Sequence, residues 1–341
     1  MSIRFALYGC QHGHIATFVD EMIAEGAECA GIYEPERNAL ARSLAQKHGI
    51  PLLDSAAALQ DESIRIIGSS AVNGDKIDVI EWCERHGKHV MLDKPAVTGR
   101  GGLDRLEAVA GRGRIQIGLL LTERFRPAVA ALKREIDAGT LGRIVGITMR
   151  KPHRLLPATR HAWHFSKERN GGIIIDLFVH DFDLLRWLTG QEIASVNSLM
   201  AKHILPEHPT FYDTACAQVL LDGGTCAQLY TDWHTPENSW TWGDCRLFVT
   251  GTEGCAELRL NGDPSCDANG ELYFRITHGE PFVRVEQEPG PVKVTITRDF
   301  LNRIEGKASL LTHRDIIATS RATVLADENA TLIHTANDEY E

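Results

Sequence analysis

Five apolar runs in the first 121 residues, each separated from the next by a helical stretch, constrain this chain more than any other feature. Residues 3–8, 29–33, 64–69, 89–92 and 114–121 read as strands; residues 15–25, 37–48, 76–86 and 103–110 read as helices. Strands alternating with helices of this length imply a parallel sheet with right-handed crossovers. The expectation is a doubly wound, Rossmann-like domain over residues 1–121.

The texture changes after Thr122. A helix at 127–138 leads through Gly139 and Gly142 to a strand at 144–150, and a helix at 174–188 ends at Gly190. Strand patterns then dominate, at 216–221, 226–232, 245–250, 256–260, 272–276 and 292–296. Gly223-Gly224 between two of them is a hairpin signal. A last amphipathic helix spans 312–327, with Thr312 as N-cap. Residues 122–341 are thus expected to form an α+β domain with a large, mainly antiparallel open sheet. A chain of 341 residues is too long for one ordinary core, which agrees with two domains.

A formal net charge of -10 argues against a nucleic-acid partner and against an anionic membrane surface. The 8 cysteines show no Cys-x-x-Cys spacing and read as reduced thiols rather than a disulfide framework. The apolar start is too short for a signal peptide and no run approaches membrane-spanning length, so a cytoplasmic protein is expected.

Gly9-Cys10-Gln11-His12-Gly13-His14 joins the first strand to the first helix, where a dinucleotide pyrophosphate would meet free backbone amides. Gly9 supplies the tight turn of a G-x-G-x-x-G fingerprint, but Gln11 and His14 occupy the places of its second and third glycines. Glu34 ends the second strand at about the spacing, ~20 residues, where an acid binds the adenosine ribose. A carboxylate there repels a 2′-phosphate, so NAD is expected ahead of NADP, with Arg37 as the residue that could reverse the preference. Ser69 and Asn73 after the third strand, and Asp93, Lys94 and Pro95 after the fourth, complete the expected cofactor rim.

The second constellation is Gly171-Gly172 followed by Asp176 and His180, one turn apart on one helix face. Oxidising a secondary alcohol needs a base for the hydroxyl proton while hydride leaves the same carbon. The histidine has a suitable intrinsic pKa, the aspartate can orient it or bind substrate, and Lys94 can stabilise the developing oxyanion. Arg154, His161 and Trp163, in the polar-aromatic stretch before this helix, are candidate substrate contacts. With no cysteine cluster or His-Glu-x-x-His pattern, no metal is expected.

Gly87-Lys88-His89-Val90-Met91-Leu92-Asp93-Lys94-Pro95 resembles the Gly-Lys-His-Val…Glu-Lys-Pro block of the glucose–fructose oxidoreductase, inositol dehydrogenase and rhizopine-catabolism family (Gfo/Idh/MocA), with Asp93 for the usual glutamate. Arg126-Pro127, Gly139-Thr140-Leu141-Gly142, Gly171-Gly172…Asp176…His180-Asp181 and Gly251-Thr252-Glu253-Gly254 follow in the family's order. The resemblance implies an NAD(P)-dependent dehydrogenase of a sugar, cyclitol or related polyol. It also implies a cis Lys94–Pro95 peptide, a Lys94 that contacts nicotinamide ribose and substrate, and a homodimer or homotetramer joined through the open sheet. NAD-dependent glycoside hydrolysis and non-catalytic nucleotide or sugar sensing are the alternatives; Lys94, Asp176 and His180 together speak against a sensor.

Overall fold

A computed structural model describes residues 3–266, 270–285 and 294–334. The chain packs as two compact units, the first made of Met1–Leu121, Glu168–Gly171 and Val294–Arg321, the second of the remainder.

In the first unit, β1 (Arg4–Cys10), α1 (Ile15–Ala24), β2 (Glu28–Tyr33), α2 (Ala39–His48), β3 (Ile64–Ser70), α3 (Lys76–Arg85), β4 (His89–Leu92), α4 (Arg100–Arg112) and β5 (Ile117–Leu119) alternate as expected. The sheet is parallel, in the order β2-β1-β3-β4-β5. An isolated parallel bridge of Ile32 to Leu52 extends it beyond β2. Counting that bridge as a vestigial strand gives the order 3-2-1-4-5-6 of dinucleotide-binding sheets. Periodicity explains the helices: α1 buries Ile15, Phe18, Val19 and Met22 on one stripe. β3, central and covered on both faces, is buried at every residue except Arg65.

Three expectations need correction. Residues 37–38 are not helical: Arg37 has a left-handed φ of 43°, and the Asn38 side chain caps α2 by accepting from Ala41 N. The fifth strand is only three residues long. Residues 292–293 lie outside the described residues, and Ile296 opens a helix instead of closing a strand.

The second unit contains α5 (Pro127–Asp137), β6 (Ile144–Arg150), α6 (Gly172–Leu177) and α7 (Val179–Thr189). Then come β7 (Ile193–Lys202), β8 (Thr214–Leu221), β9 (Cys226–Asp232), β10 (Arg246–Gly251), β11 (Gly254–Arg259), β12 (Leu272–Thr277) and β13 (Val283–Arg284). The helix α8 (Ile296–Ile304) belongs to the first unit; α9 (His313–Glu328) and β14 (Thr331–His334) follow. The nine strands run in the order β13-β12-β11-β10-β6-β9-β8-β7-β14, antiparallel except at β6–β9 and β7–β14. Gly223-Gly224 does form the β8–β9 hairpin turn, Gly224 taking a φ of 87°.

Alternation gives this sheet two faces. Ala215, Ala217, Val219, Ala227 and Leu229 point into a core shared with Ile174, Phe178, Phe182 and Leu185 of the helical layer. Gln218, Leu220, Gln228 and Tyr230 point outward and are exposed. Tyr230, Gln228 and Leu199 help to line an open concavity of about 620 Å³ on that outer face.

Candidate active site

The Gly9 loop leaves the carboxyl end of β1 beside that of β3, where the strand order reverses. Gln11 N donates to Ser70 O at 2.8 Å. Ligands of open α/β sheets sit at such a switch point. Gly9 has a φ of 83°, and a β-carbon on it would stand 2.8 Å from Ala71 Cβ, so no other residue fits there.

The bulky residues that replace the other fingerprint glycines are held by acids. Gln11 Nε2 donates to Glu34 Oε1 at 2.9 Å and Glu36 Oε2 at 3.2 Å. His12 Nδ1 and His14 Nδ1 lie 2.7 and 3.0 Å from the two oxygens of Asp93. Burial alone would push the Asp93 carboxyl up, but His12, Lys76 and His14 overcome it and hold it well below the usual carboxylate range.

Glu34 is buried, and its other oxygen accepts from Cys10 N at 2.6 Å. Together with Glu36, Asp75 and Asp78 it lines a cleft of about 290 Å³, beside Arg169, which is paired with Asp75. The Arg37 guanidinium is engaged by Asp54.

At the end of β4 the Lys94–Pro95 peptide is cis, and Lys94 is buried. Its carbonyl accepts from Lys76 Nζ at 2.9 Å, and the same ammonium donates to Asn73 Oδ1 at 2.9 Å and lies 4.0 Å from Asp93 Oδ2. Asn73 Nδ2 in turn donates to Asn170 O. Ser69 Oγ accepts from Ala71 N, and its carbonyl accepts from Asp93 N. Ser69 and Asn73 therefore shape the turn from within. Lys76, fully buried, is a residue the sequence reading missed.

In the second unit, the helix expected to carry Asp176 and His180 is two segments meeting at Phe178, so Asp176 lies in the last turn of α6 and His180 in the first turn of α7. The bonds from Phe178 N to Ile174 O and Phe182 N to Phe178 O keep the helical spacing across the break. Asp176 is buried, and its charge favours the ionised Arg160 guanidinium.

A charge network next to His180 includes two residues, Glu123 and Lys151, that the sequence reading did not name. Lys151 Nζ lies 3.1 Å from Asp181 Oδ1 and 3.7 Å from Glu123 Oε2, with Arg126 3.5 Å from Glu123. Although burial opposes ionisation, Lys151, Arg126 and His180 bring the Glu123 carboxyl down to about 2. Burial raises the Asp181 carboxyl to about 6 against the pull of Lys151. Lys151 continues the inward parity of Ile147 and Met149 on β6, which was the signal available.

The polar-aromatic stretch is divided. Trp163 is buried, stacks on His164 at 3.8 Å, and its Nε1 has no hydrogen-bond partner among the described residues. His161 is exposed. Arg154 donates to Ser239 O, whereas Arg160, which the sequence reading did not single out, lies over the Trp233 ring at 4.6 Å.

A model of the GFO/IDH/MocA C-terminal domain matches residues 129–257. Inositol 2-dehydrogenase 2 of Saccharopolyspora erythraea is 26% identical over 221 residues, 63% of this chain and 62% of that protein. The scyllo-inositol 2-dehydrogenase (NAD(+)) of Bacillus subtilis is 29% identical over 197 residues, 57% of this chain and 54% of that one. The matches thus span less than two thirds of these curated relatives. A provisionally named oxidoreductase of Erwinia carotovora atroseptica SCRI1043 shares the fold with a TM-score of 0.90 at 26% identity, covering 97% of this chain and 100% of that one.

Proposed function

We propose that the chain is a member of the GFO/IDH/MocA family and, on that premise, an NAD-dependent dehydrogenase of a sugar, cyclitol or related polyol. The observation that carries the reading is the buried Lys94 at the end of β4, fixed through its own carbonyl by Lys76, beside a glycine loop at the switch point. The loop fits a dinucleotide: Gly9 leaves the close approach open, and Glu34 and Asp93 fold the Gln11, His12 and His14 side chains onto the protein. A bound nicotinamide supplies the hydride acceptor.

Lys94 holds the reacting oxygen and stabilises its charge. His180 takes the hydroxyl proton, and Asp176 orients the ring or binds a neighbouring hydroxyl. The Trp163 indole N–H supports a role in substrate binding, as does the position of Arg154 in the same stretch. His161 is the weakest of the proposed contacts. The four carboxylates of the β2-side cleft support NAD over NADP, and the curated relatives' names support dehydrogenation over glycoside hydrolysis or sensing.

The test is reduction of NAD across inositols, sugars and sugar acids by the full chain. At least one polyol should give turnover, and His180→Asn should lose most of the rate together with the ionisation that limits it at low pH. An unaltered low-pH limb in that variant would remove His180 as the base.

A further inference from the structure

Three neighbouring strands of the second unit bring two imidazoles and a carboxylate to one end of the sheet. His203 follows β7, Asp213 precedes the antiparallel β8, and His234 follows β9, two residues beyond Asp232, which pairs with Thr214. His203 Nδ1 and His234 Nε2 each lie 2.8 Å from the same oxygen, Asp213 Oδ1. All three ligand atoms fall within 4.8 Å of one another.

We propose that His203, Asp213 and His234 bind a divalent transition-metal ion of the zinc type. Two imidazoles and one carboxylate are a donor set for such ions, and three protein ligands leave a position for water or a substrate oxygen. Bonds of about 2.0–2.2 Å place adjacent ligand atoms about 3 Å apart, so the observed spacings need only a slight spread.

The site is built before any ion arrives. Asp213 is fully buried, and its second oxygen accepts from His203 N at 2.6 Å and Ile204 N at 2.9 Å, which turns the first oxygen, itself accepting from Thr214 Oγ1 at 3.1 Å, toward the two imidazoles. The intervening loop is closed by Lys202 Nζ, whose three N–H groups are shared among the carbonyls of Ile204, Leu205, His208 and Phe211. His234 is fixed by its N–H to Asp232 and by an isolated bridge to Arg154. Both imidazoles remain open to solvent, with side chains 45% and 38% exposed. The other His–Asp–His group, His12, His14 and Asp93, differs in one respect that matters: the Lys76 ammonium already stands 4.0 Å from its carboxylate.

The experiment titrates the untagged full chain with Co(II) followed by its visible absorption, and with Zn(II) by competition. One equivalent should bind, with affinity reduced on the order of 100-fold in His203→Gln and His234→Gln and unchanged in the double variant His12→Gln/His14→Gln. Absence of stoichiometric binding overturns the proposal, as does binding that survives the first two substitutions and vanishes in the third variant. Should a substituted chain fail to fold, Ni(II) broadening of the unsubstituted chain's histidine ring signals decides the matter. Broadening of His203 and His234 supports the site; broadening elsewhere rejects it.

Discussion

Lys76 shows how much one buried side chain can organise. Its ammonium serves Asn73, the Lys94 carbonyl and the field of Asp93, so Lys76→Met would leave two buried acceptors without their donor and Asp93 with only His12 and His14 to offset its burial. We expect a loss of about 3–5 kcal/mol, measured by urea unfolding. Lys94→Ala, by contrast, should cut turnover about 100-fold or more while changing NAD affinity only a few-fold, because in the proposed mechanism its charge acts on the reacting oxygen. Near-normal turnover would take it out of the mechanism. For cofactor choice, titration should show NADP binding at least about tenfold more weakly than NAD, since a 2′-phosphate would meet Glu34 and Glu36. Sequence reading proposes Lys94, Asp176 and His180 because motif spacing marks them. It passed over Lys76 and Lys151 because an isolated lysine normally reads as solvent-facing. Both sit in apolar periodicity, Lys76 in the stripe that continues through Ile80 and Cys83, and that is where such residues can be found.

Elements were legible where a single period ran without interruption. The β-branched alternation around Val294, Thr295 and Ile296 resembles a strand, yet Thr295 caps α8 by accepting from Arg298 N, and Ile296, Phe300 and Leu301 form its buried stripe. The helix packs beside α1, where Thr297 N donates to Glu21 Oε2 at 3.1 Å, and with α9 it covers the outer edge of β5: Ile117 N donates to His313 Nε2 at 2.9 Å and Ile117 O accepts from Arg303. Such an edge left bare would be a template for mispairing. Burial, aided by Arg303, lowers His313 to about 4, so it is neutral and able to accept. Its unfolded pKa is near 6.5, so the unfolded chain takes up the proton first as pH falls. Stability contributed by His313 is therefore present above about 6.5 and lost progressively toward 4, by up to about 3 kcal/mol. Denaturant midpoints from pH 4 to 7 should show this decline in the parent and a flatter profile in His313→Gln. Equal slopes would exclude the linkage.

At the scale of the whole molecule, the sequence identified a parallel sheet followed by a mainly antiparallel one. Discontinuity was invisible to it, because the return of residues 294–321 to the first unit depends on long-range packing rather than local pattern. The outer face carries apolar side chains such as Leu199, Leu220, Tyr230 and Phe248, and we propose it as the surface of a homodimer or homotetramer. Sedimentation at micromolar concentration should give a species heavier than the 37.7 kDa chain, reduced to it by Leu220→Asp with Tyr230→Glu. A lone 37.7 kDa species in the parent would count against association. The edge of β5, finally, has a meaning for biosynthesis. On the ribosome β5 emerges well before the helix that shields it, and β7 well before its parallel neighbour β14. At about 5–20 residues per second, β5 waits on the order of 10–35 s for α8. Both sheets thus spend that interval as unfinished nascent structures, and chaperone demand should be greatest during translation, falling once the last strand has left the exit tunnel.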